Sequence, residues 1–424
     1  MQRVLILSCS TGQGHNSCAT AIKETFELQG VPCDIRDALG FISDKIATAV
    51  SKGHNFTYRY LPWAFKKGYH YSEIHPSVFD ENSYSYRFLT IGTERLREFI
   101  VMGKYDTVIC THAFSAVMLT HILRQNPIPI QTAFVATDYT CSPSVEKSDL
   151  QRYFIPDAAL TEEFAAAGIP RDRIIASGIP VRVDFFAKAE KREAKRLVGV
   201  QEDHLHLLVM CGSMGCGPME KMVGDITTDL PDGTEITVVC GNNERLYENM
   251  SHRYSPNPSI HVVGYSNQIP LYMDAADLYL TKPGGISVTE AAVKCLPMVF
   301  VNAVAGCETY NAEFFISRGC AVDIGNEASG CLLLLQNKLE RRLHHSLHSR
   351  LHHRQCQKPG TAVQAPKLRR QLREMRQTRS FLGRSGGQCR QIMHLHVPPG
   401  SNSFLQSFRR TQSGAPSLIS WQYP

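Results

Sequence analysis

Residues 279–292 decide the fold, and they read Tyr279-Leu280-Thr281-Lys282-Pro283-Gly284-Gly285-Ile286-Ser287-Val288-Thr289-Glu290-Ala291-Ala292. The apolar run at 278–280 predicts a buried parallel strand. Lys282-Pro283 ends this strand, and the apolar spacing from Ile286 onward predicts a helix. A strand, a glycine turn and a helix in this order are typical of an open α/β sheet, in which such turns lie at the ligand-binding edge.

The turn between this strand and this helix has the features of a phosphate site. Gly284 and Gly285 present backbone N–H groups at a helix start, where the positive end of the helix dipole also points. Lys282 adds a point charge, and the Glu290 carboxylate, about one turn into the helix, is placed to accept hydrogen bonds from a ribose. The arrangement suits a nucleotide diphosphate, although its spacing differs from a Walker loop. An ordinary strand–turn–helix corner is the alternative.

Length and composition limit the class of protein. With 424 residues, 43% of them hydrophobic, the chain is long enough for two or three domains with substantial cores. It has no run of 18 apolar residues, which predicts no membrane span, and its first residues are too soon polar for a signal peptide. The fourteen cysteines form no Cys-x-x-Cys pair, which favours reduced thiols in a cytoplasmic protein over disulfides or zinc.

The charge is divided unequally along the chain. Residues 327–424 hold 16 Lys and Arg against three Glu, a net +13, whereas residues 1–326 hold 29 against 36, a net −7. The composition changes abruptly after Gly325-Asn326, without a linker, as it would after a shift of reading frame. We therefore predict a disordered or non-native basic tail. A genuine RNA-binding arm and a folded helical segment are the alternatives.

The N-terminal part begins with a β-branched and leucine-rich strand at 4–8, followed by the loop Ser10-Thr11-Gly12-Gln13-Gly14-His15 and by helical spacing from residue 19 to 28. The loop resembles half of a dinucleotide fingerprint, without the third glycine or a clear acidic strand end. His15 opens the helix, where the dipole disfavours the imidazolium, so we expect a neutral ring that can act as a base near pH 7. A surface capping histidine is the alternative.

Two further predicted strands end in polar residues. The strand at 107–111 is followed by His112, and the strand at 131–135 by Thr137 and Asp138. Polar groups at the carboxyl ends of parallel strands line the ligand cleft. Asp138 is therefore a candidate to orient His15 or the acceptor, with a loop cap as the alternative.

Residues 41–75 combine aromatic and cationic side chains. The aromatic residues include Phe56, Tyr58, Tyr60, Trp63, Phe65, Tyr69 and Tyr71, and the cations include Lys45, Lys52, Arg59, Lys66 and Lys67. Aromatic rings favour headgroup depth and cations favour anionic lipid, so the stretch predicts an interfacial membrane surface. Core-facing aromatics beside a solvated face, and nucleic-acid stacking, are the alternatives.

The second half restarts the strand–loop pattern. A strand at 207–210 leads into Cys211-Gly212-Ser213-Met214-Gly215-Cys216-Gly217, a second glycine-rich loop that predicts a close approach to phosphate. A strand at 236–239 ends in Cys240-Gly241-Asn242-Asn243. The agreement among the loops predicts two α/β halves that aim their loops at a shared cleft.

With these motifs the chain resembles the GT-B glycosyltransferases, in the branch of the diacylglycerol glucosyl- and galactosyltransferases such as monogalactosyldiacylglycerol synthase. The enzyme that transfers N-acetylglucosamine to form lipid II is a more distant resemblance. Three motifs carry it over residues 1–325: Gly-x-Gly-His at 12–15, Gly-Ser-Met-Gly-x-Gly at 212–217, and Lys282-Pro283-Gly284-Gly285 with the later Gly306-x-Glu308-x-x-Asn311. Ser10 stands where plant-type galactosyltransferases have Asp, so the chain is more similar to the bacterial glucosyl branch.

The resemblance implies an inverting transfer from a UDP-sugar, with His15 deprotonating the acceptor hydroxyl. Ser287 and Thr289 are implied as hydroxyl donors, and Glu308 and Asn311 match positions that read the sugar. The implied donor site comprises Gly212, Ser213, Met214, Gly215, Gly241, Tyr265, Ile269, Lys282, Gly284, Gly285, Ser287, Thr289, Glu290, Glu308 and Asn311. The implied acceptor and membrane residues are Gly12, Gly14, Phe56, Tyr60, Trp63, Phe65, Lys66 and Lys67.

We therefore predict an α/β protein of GT-B architecture, with two Rossmann-like domains facing a central cleft. Residues 1–185 form the acceptor domain, 186–326 an incomplete nucleotide-sugar domain, and 327–424 the basic tail. No cofactor and no obligatory catalytic metal are expected, because backbone donors and helix dipoles stabilise the departing diphosphate. A tail that replaces the closing helices of the family would leave the product unstable or inactive.

The predicted function is transfer of a hexose from a UDP-sugar to diacylglycerol or glycosyl-diacylglycerol, giving a glycolipid. The expected location is cytoplasmic and peripheral, on the anionic inner face of the cell membrane, without a nucleic-acid partner. A UDP-N-acetylglucosamine 2-epimerase or a lipid-linked N-acetylglucosaminyl transfer is an alternative with the same fold. A nucleic-acid-binding protein that works through the basic tail is an alternative of a different class.

Overall fold

The computed structural model describes residues 3–212, 215, 219–301, 306–325, 331 and 334–335. The predicted donor residues Ser213 and Met214, and the side chain of Tyr60, lie outside the described residues. So does nearly all of the predicted tail. Among the described residues, no helix is long and apolar enough to cross a membrane.

The first domain is a six-stranded parallel sheet covered by helices. Its strands are β1 (Val4–Ser8), β2 (Cys33–Asp37), β3 (Thr107–Cys110), β4 (Gln131–Val135), β5 (Arg152–Ile155) and β6 (Ile174–Ala176). Its helices are α1 (Gln13–Glu27), α2 (Asp44–Tyr60), α3 (Pro62–Ile74), α4 (Tyr84–Thr90), α5 (Thr93–Met102), α6 (Ala113–Gln125) and α7 (Thr161–Ala166). The strand order is β2-β1-β3-β4-β5-β6.

The second domain repeats this design. Its strands are β7 (Leu205–Met210), β8 (Thr234–Val239), β9 (Ile260–Val263), β10 (Leu278–Thr281), β11 (Met298–Phe300) and β12 (Ala321–Asp323), in the order β12-β11-β10-β7-β8-β9. Its helices are α8 (Lys191–Leu197), α9 (Met219–Thr228), α10 (Glu244–Tyr254), α11 (Ile269–Ala275), α12 (Gly285–Val293) and α13 (Cys307–Ser317). All the pairings between neighbouring strands are parallel.

Each sheet reverses its winding direction at one point. In the first sheet the reversal lies between β1 and β3, and in the second between β7 and β10. Loops that leave neighbouring strands at such a point diverge to opposite faces of the sheet and open a crevice at the carboxyl ends. Three segments begin at the carboxyl ends of strands beside these points: the loop at 9–12 after β1, Thr111 after β3, and the turn at 282–284 after β10. The strand order therefore explains why these segments meet.

The two domains share one continuous apolar cluster. Leu5 and Ile109 of the first sheet belong to the same cluster of buried residues as Met210, Phe300 and Phe315 of the second domain. A Cβ added to Gly14 would lie 3.5 Å from Cγ1 of Ile286, so α1 and α12 also meet across the cleft. The predicted fold, two Rossmann-like domains facing a central cleft, is confirmed.

The charged stretch that follows residue 190 forms the helix α8 (Lys191–Leu197). Lys195 on this helix is fully buried, and its Nζ donates to Asp277 Oδ2 at 2.9 Å. Lys294 Nζ likewise donates to Asp274 Oδ2 at 2.7 Å. Lys294 Nζ also donates to the Ala187 carbonyl, and Asp274 Oδ2 accepts the Ala189 N–H at 3.2 Å. Because burying a charge is costly unless it is paired, the Lys195–Asp277 pair holds α8, and the paired Lys294 and Asp274 hold the preceding segment, against the second domain.

Two details of the boundaries differ from the sequence analysis. The sequence showed no clear acidic strand end after the first loop, yet β2 ends at Asp37, whose Oδ2 accepts the Ser10 N–H at 3.0 Å. Beyond residue 326, Cys331, Leu334 and Leu335 are buried in the apolar cluster of the second sheet. The second domain therefore extends at least to Leu335.

Candidate active site

A cleft of about 710 Å³ lies between the two domains. The loops after β1, β3 and β4 form one wall, and the loops after β7, β8 and β10 form the other. Fifteen predicted site residues line it: Gly12, Gly14, His15, Phe65, Asp138, Gly212, Gly241, Tyr265, Ile269, Lys282, Gly284, Gly285, Ser287, Glu290 and Glu308. The structure thus brings the predicted base and the predicted phosphate turn to one cavity.

The His15 ring is held by its Nδ1 atom. Nδ1 lies 2.9 Å from the carbonyl oxygen of Thr111 and 2.9 Å from Oγ1 of Thr137. Because a carbonyl oxygen only accepts, Nδ1 must carry the proton and donate to it. In the neutral ring the lone pair is therefore on Nε2. His15 is set up to accept a proton at Nε2.

Burial lowers the pKa of His15 below its usual value, because desolvation disfavours the imidazolium. The negative charge of Asp138, and then the hydrogen bond to Thr111, act in the opposite direction. The helix dipole was expected to keep the ring neutral, but in the structure burial is the main cause of the lowered pKa of His15. The ring is consequently neutral near pH 7.

Asp138 reaches His15 through Thr137. The Thr137 hydroxyl donates to Asp138 Oδ2 at 3.4 Å while Thr137 Oγ1 accepts from His15 Nδ1. Thr111 and Thr137 are the direct partners of His15, and Asp138, the predicted candidate to orient His15 or the acceptor, is linked to the ring through Thr137. Asp138 also accepts, at Oδ1, a 2.8 Å hydrogen bond from Nδ2 of Asn311 in the second domain.

A second histidine, His112, packs edge-on against His15 with ring centroids 4.6 Å apart. Its Nδ1 accepts the Phe114 N–H at 3.1 Å and so caps α6. Nε2 must then carry the proton of the neutral ring and donate to Thr11 Oγ1 at 3.0 Å. Burial, and then the neighbouring His15 and His54, hold the pKa of His112 well below its usual value. His112 is therefore a neutral residue whose Nδ1 lone pair caps α6.

On the opposite wall, α12 begins at Gly285 with Gly284 as its N-cap. Within the described residues, no side chain caps this end, so its first N–H groups can take a ligand. Among the described residues, a Cβ added to Gly284 would meet nothing within 4 Å, but one added to Gly285 would lie 2.0 Å from the Thr137 carbonyl oxygen. The close approach of the two domains therefore requires glycine at 285.

Glu290 lies deeper in the same wall. Burial raises the pKa of its carboxyl to about 8, against the attraction of Arg182, while Asp184 contributes in the same direction as burial. Arg182 also lines the cleft, although it comes from the end of the first domain. Arg182 was not among the predicted site residues. The nearest sequence signal is the glycine–proline segment at 178–180, two residues before it, which indicates a turn.

Two predicted donor residues have other roles in the structure. Thr289 is buried, donates from Oγ1 to the Gly285 carbonyl at 2.6 Å and lies 3.0 Å from the Tyr139 hydroxyl. Asn311 is fully buried, and its amide group bonds to protein atoms. Both were expected to contact the donor, as a hydroxyl donor and a sugar reader, but their polar groups are engaged within the protein. Gly215 packs beside the Cys240 carbonyl instead of lining the cleft.

The aromatic and basic stretch divides into two faces. Phe65 lines the cleft, with its ring centroid 5.4 Å from that of His54. Trp63 is 62% exposed and Phe56 56% exposed, with Lys67 Nζ 5.8 Å from the centre of the Trp63 ring. Lys66 is also exposed. Further aromatic residues that the sequence analysis did not assign to the site line the same wall as Phe65: Phe79, Phe114 and Phe134.

Two family models match the chain in succession. The model of monogalactosyldiacylglycerol (MGDG) synthase matches residues 15–181. The model of the glycosyltransferase family 28 C-terminal domain matches residues 206–369. The first match includes the strands from β2 to β6 but not β1, and the second begins within β7 and includes the rest of the second sheet. The second match continues past residue 326, where the composition changes.

Curated relatives with similar sequences are described as processive diacylglycerol beta-glucosyltransferases. One from Staphylococcus epidermidis is 27% identical over 345 residues, which cover 80% of this chain and 86% of that protein. One from Bacillus cereus is 27% identical over 335 residues, which cover 77% of this chain and 83% of that protein.

Solved structures share the fold at low sequence identity. MurG from Acinetobacter baumannii matches with a TM-score of 0.54 and 15% identity, covering 81% of this chain and 92% of that one. The S. aureus MnaA–UDP co-structure matches with a TM-score of 0.52 and 12% identity, covering 81% and 90%.

Proposed function

The chain belongs to the GT-B family of diacylglycerol glycosyltransferases, and from this premise we propose that it transfers a hexose from a UDP-sugar to the hydroxyl of diacylglycerol or glycosyl-diacylglycerol, with inversion at the anomeric carbon. One observation carries the proposal. A histidine whose Nδ1–H is fixed to a carbonyl shares a cleft with an uncapped helix start, so a base and a phosphate site face each other.

The donor is proposed to lie against the second domain. The first N–H groups of α12 and the positive end of its dipole favour a diphosphate, with Lys282 beside them. Glu290 is placed to meet the ribose, and Tyr265 and Ile269 line the end of the cleft suited to the base. Glu308, at the start of α13, remains the candidate to bind the sugar hydroxyls.

The reaction follows from the position of His15. Nε2 of His15 removes the proton of the acceptor hydroxyl, and the oxygen attacks the anomeric carbon from the face opposite the diphosphate. The bond between the anomeric carbon and the phosphate oxygen breaks, and UDP leaves with the electron pair. The N–H groups of α12 and the Lys282 ammonium stabilise the charge that develops on the leaving diphosphate. We propose that no cofactor and no catalytic metal is obligatory in this step.

The acceptor is proposed to approach from the first domain. The aromatic wall at Phe65, Phe79 and Phe114 suits an apolar lipid near His15. On the outer face of α2 and α3, exposed Trp63 and Phe56 lie with Lys66 and Lys67, a combination that favours an anionic membrane surface. We propose that the protein works peripherally on such a surface, at the cytoplasmic face.

The test is UDP-glucose turnover with vesicles of anionic phospholipid that contain or lack diacylglycerol. We expect UDP release only when diacylglycerol is present, together with a glycolipid whose anomeric configuration is opposite to that of the donor. Release without diacylglycerol, or conversion of the donor to its 2-epimer, would refute the proposal. Running UDP-galactose in parallel determines which hexose the site prefers.

A further inference from the structure

We infer that Asn311 is a positioning residue. It fixes Asp138, and through Asp138 also His15, relative to the turn at 282–284 on the other side of the domain boundary. This inference deepens the proposed function and rests on His15 being the base. It also assigns Asn311 a role other than the sugar reading that the motif Gly306-x-Glu308-x-x-Asn311 implies.

The side-chain amide of Asn311 is saturated by protein groups. Oδ1 accepts the Tyr139 N–H at 2.6 Å, and Nδ2 donates to Asp138 Oδ1 at 2.8 Å and to the Pro283 carbonyl at 3.0 Å. An amide nitrogen has two hydrogens, and both are used. The residue is 0% exposed. A sugar hydroxyl therefore has no Asn311 donor to meet.

The three partners of Asn311 come from the two walls of the cleft. Asp138 and Tyr139 follow β4 in the first domain, and Pro283 lies in the turn between β10 and α12. The Asn311 side chain on α13 thus connects the Asp138 carboxylate, which lies behind His15, to the turn at 282–284, where the diphosphate is proposed to bind. The neighbouring contact of Tyr139 with Thr289, at 3.0 Å between their hydroxyl oxygens, lies at the same junction.

This connection matters at the moment of proton transfer. When His15 takes the acceptor proton it becomes an imidazolium, and its Nδ1–H group points to Thr137, which in turn donates to Asp138. The Asp138 charge stabilises that cation only if the carboxylate stays in place. Without Asn311, Asp138 loses its 2.8 Å donor and the turn at Pro283 loses its link to the first domain. The base should then become weaker and less well aligned.

Other titratable groups surround the pair and would persist in a variant of Asn311. On the first-domain side they are His112, His54 and Tyr69, and from α13 they are Cys307 and Glu308. Because these groups stay unchanged, a shift of the pH profile can be assigned to the loss of the Asn311–Asp138 contact.

The experiment measures lipid-dependent transfer by the full chain and its Asn311→Ala variant across pH, with UDP-glucose and diacylglycerol vesicles. We expect kcat to fall about tenfold to a hundredfold, on the scale of general-base effects, while the KM for UDP-glucose stays within about twofold. The acid limb of the kcat/KM profile should move to lower pH, because Asp138 raises the pKa of His15 and is no longer held. In an Asp138→Asn background, Asn311→Ala should cause little further loss.

Tyr310→Phe is the matched control, since Tyr310 lies on the same helix and donates to Glu73 of the first domain at 3.0 Å. It removes a hydrogen bond between the domains without touching Asp138, and should leave the pH limb in place. If Asn311→Ala does not fold, as judged by stabilisation with UDP, the near-isosteric Asn311→Leu keeps about the same volume, can neither donate nor accept, and should show the same loss of kcat.

A sugar-reading role predicts a different pattern. A raised KM for UDP-glucose, altered discrimination between UDP-glucose and UDP-galactose, and an unmoved acid limb would overturn the inference while leaving the proposed function intact. No lipid-dependent transfer by the unsubstituted chain would instead refute the proposed function.

Discussion

The Gly285→Ala substitution tests the contact between the two domains at the cleft. The added methyl group would lie 2.0 Å from the Thr137 carbonyl oxygen, 2.9 Å from Asp138 Oδ1 and 3.0 Å from the Thr137 carbonyl carbon. Since Cβ atoms essentially never come closer than 3.0 Å to a heavy atom, the phosphate turn and the loop after β4 must separate by about 1 Å. Thr137 also accepts from His15, so the displacement occurs at the base itself.

A misplacement of about 1 Å at reacting groups can lower the rate about a hundredfold, and overpacking costs about 1–3 kcal/mol of stability. We therefore expect Gly285→Ala to lower both kcat for lipid-dependent UDP release and the melting temperature. Gly284→Ala is the matched control for stability, because its Cβ would meet none of the described residues within 4 Å, and it should leave the melting temperature unchanged. A Gly285→Ala variant with normal kcat and melting temperature would refute the closed arrangement of the cleft.

Four further predictions concern pH, membrane binding and the tail. Because burial lowers the pKa of His15, the acid limb of kcat/KM should lie below pH 6.5, and a limb above that value would count against His15 as the base. Burial raises the pKa of Glu290 to about 8, so the stability due to its protonated form is lost as pH rises from about 4.5 towards 8. The difference in melting temperature between Glu290→Gln and the unsubstituted chain should therefore shift in favour of the variant over that range. A difference that stays constant with pH would contradict this. Trp63→Ala and Lys67→Gln should weaken sedimentation with anionic vesicles, the latter by roughly 1 kcal/mol and by less at high salt; unchanged binding would remove this face from the membrane surface. Replacing residues 336–424, which follow the buried Leu335, with the closing segment of a family member should raise the melting temperature, and no rise would contradict the prediction of a non-native tail.

The sequence alone predicted those elements whose pattern is contained within one short segment. The glycine turn at 284–285 follows a short buried strand and opens a helix, and His15 follows a glycine loop after the first strand. Each pattern lies within about fifteen residues. Parallel strands align their carboxyl ends, so the local patterns also predicted that these loops would share a cleft.

Contacts between segments that are far apart in the chain could not be predicted from the sequence. Asn311 and Asp138 are 173 positions apart, and the motif alone could not distinguish an amide that reads a sugar from one that joins two domains. The same limit explains Thr137, which bonds to His15 across 122 positions. The close packing at Gly285 could not be predicted for the same reason, because the Thr137 carbonyl oxygen, which would lie 2.0 Å from an added Cβ, belongs to the other domain.

Some strands were missed for a different reason. β2 reads Cys33-Asp34-Ile35-Arg36-Asp37, and β12 has only three residues. Both lie at sheet edges, where one side of the strand meets solvent or helices. Their polar or short sequences lack the apolar run that identified β1 and β10.

The central claim is that Nε2 of His15 is the base of a lipid-dependent transfer. The most direct measurement is UDP release from UDP-glucose with diacylglycerol vesicles, on the chain, its His15→Ala variant and the exposed control His252→Ala, with UDP affinity measured alongside. The account predicts that release depends on diacylglycerol, that His15→Ala loses it about a hundredfold or more with UDP affinity retained, and that His252→Ala keeps it. Undiminished release by His15→Ala would contradict the account.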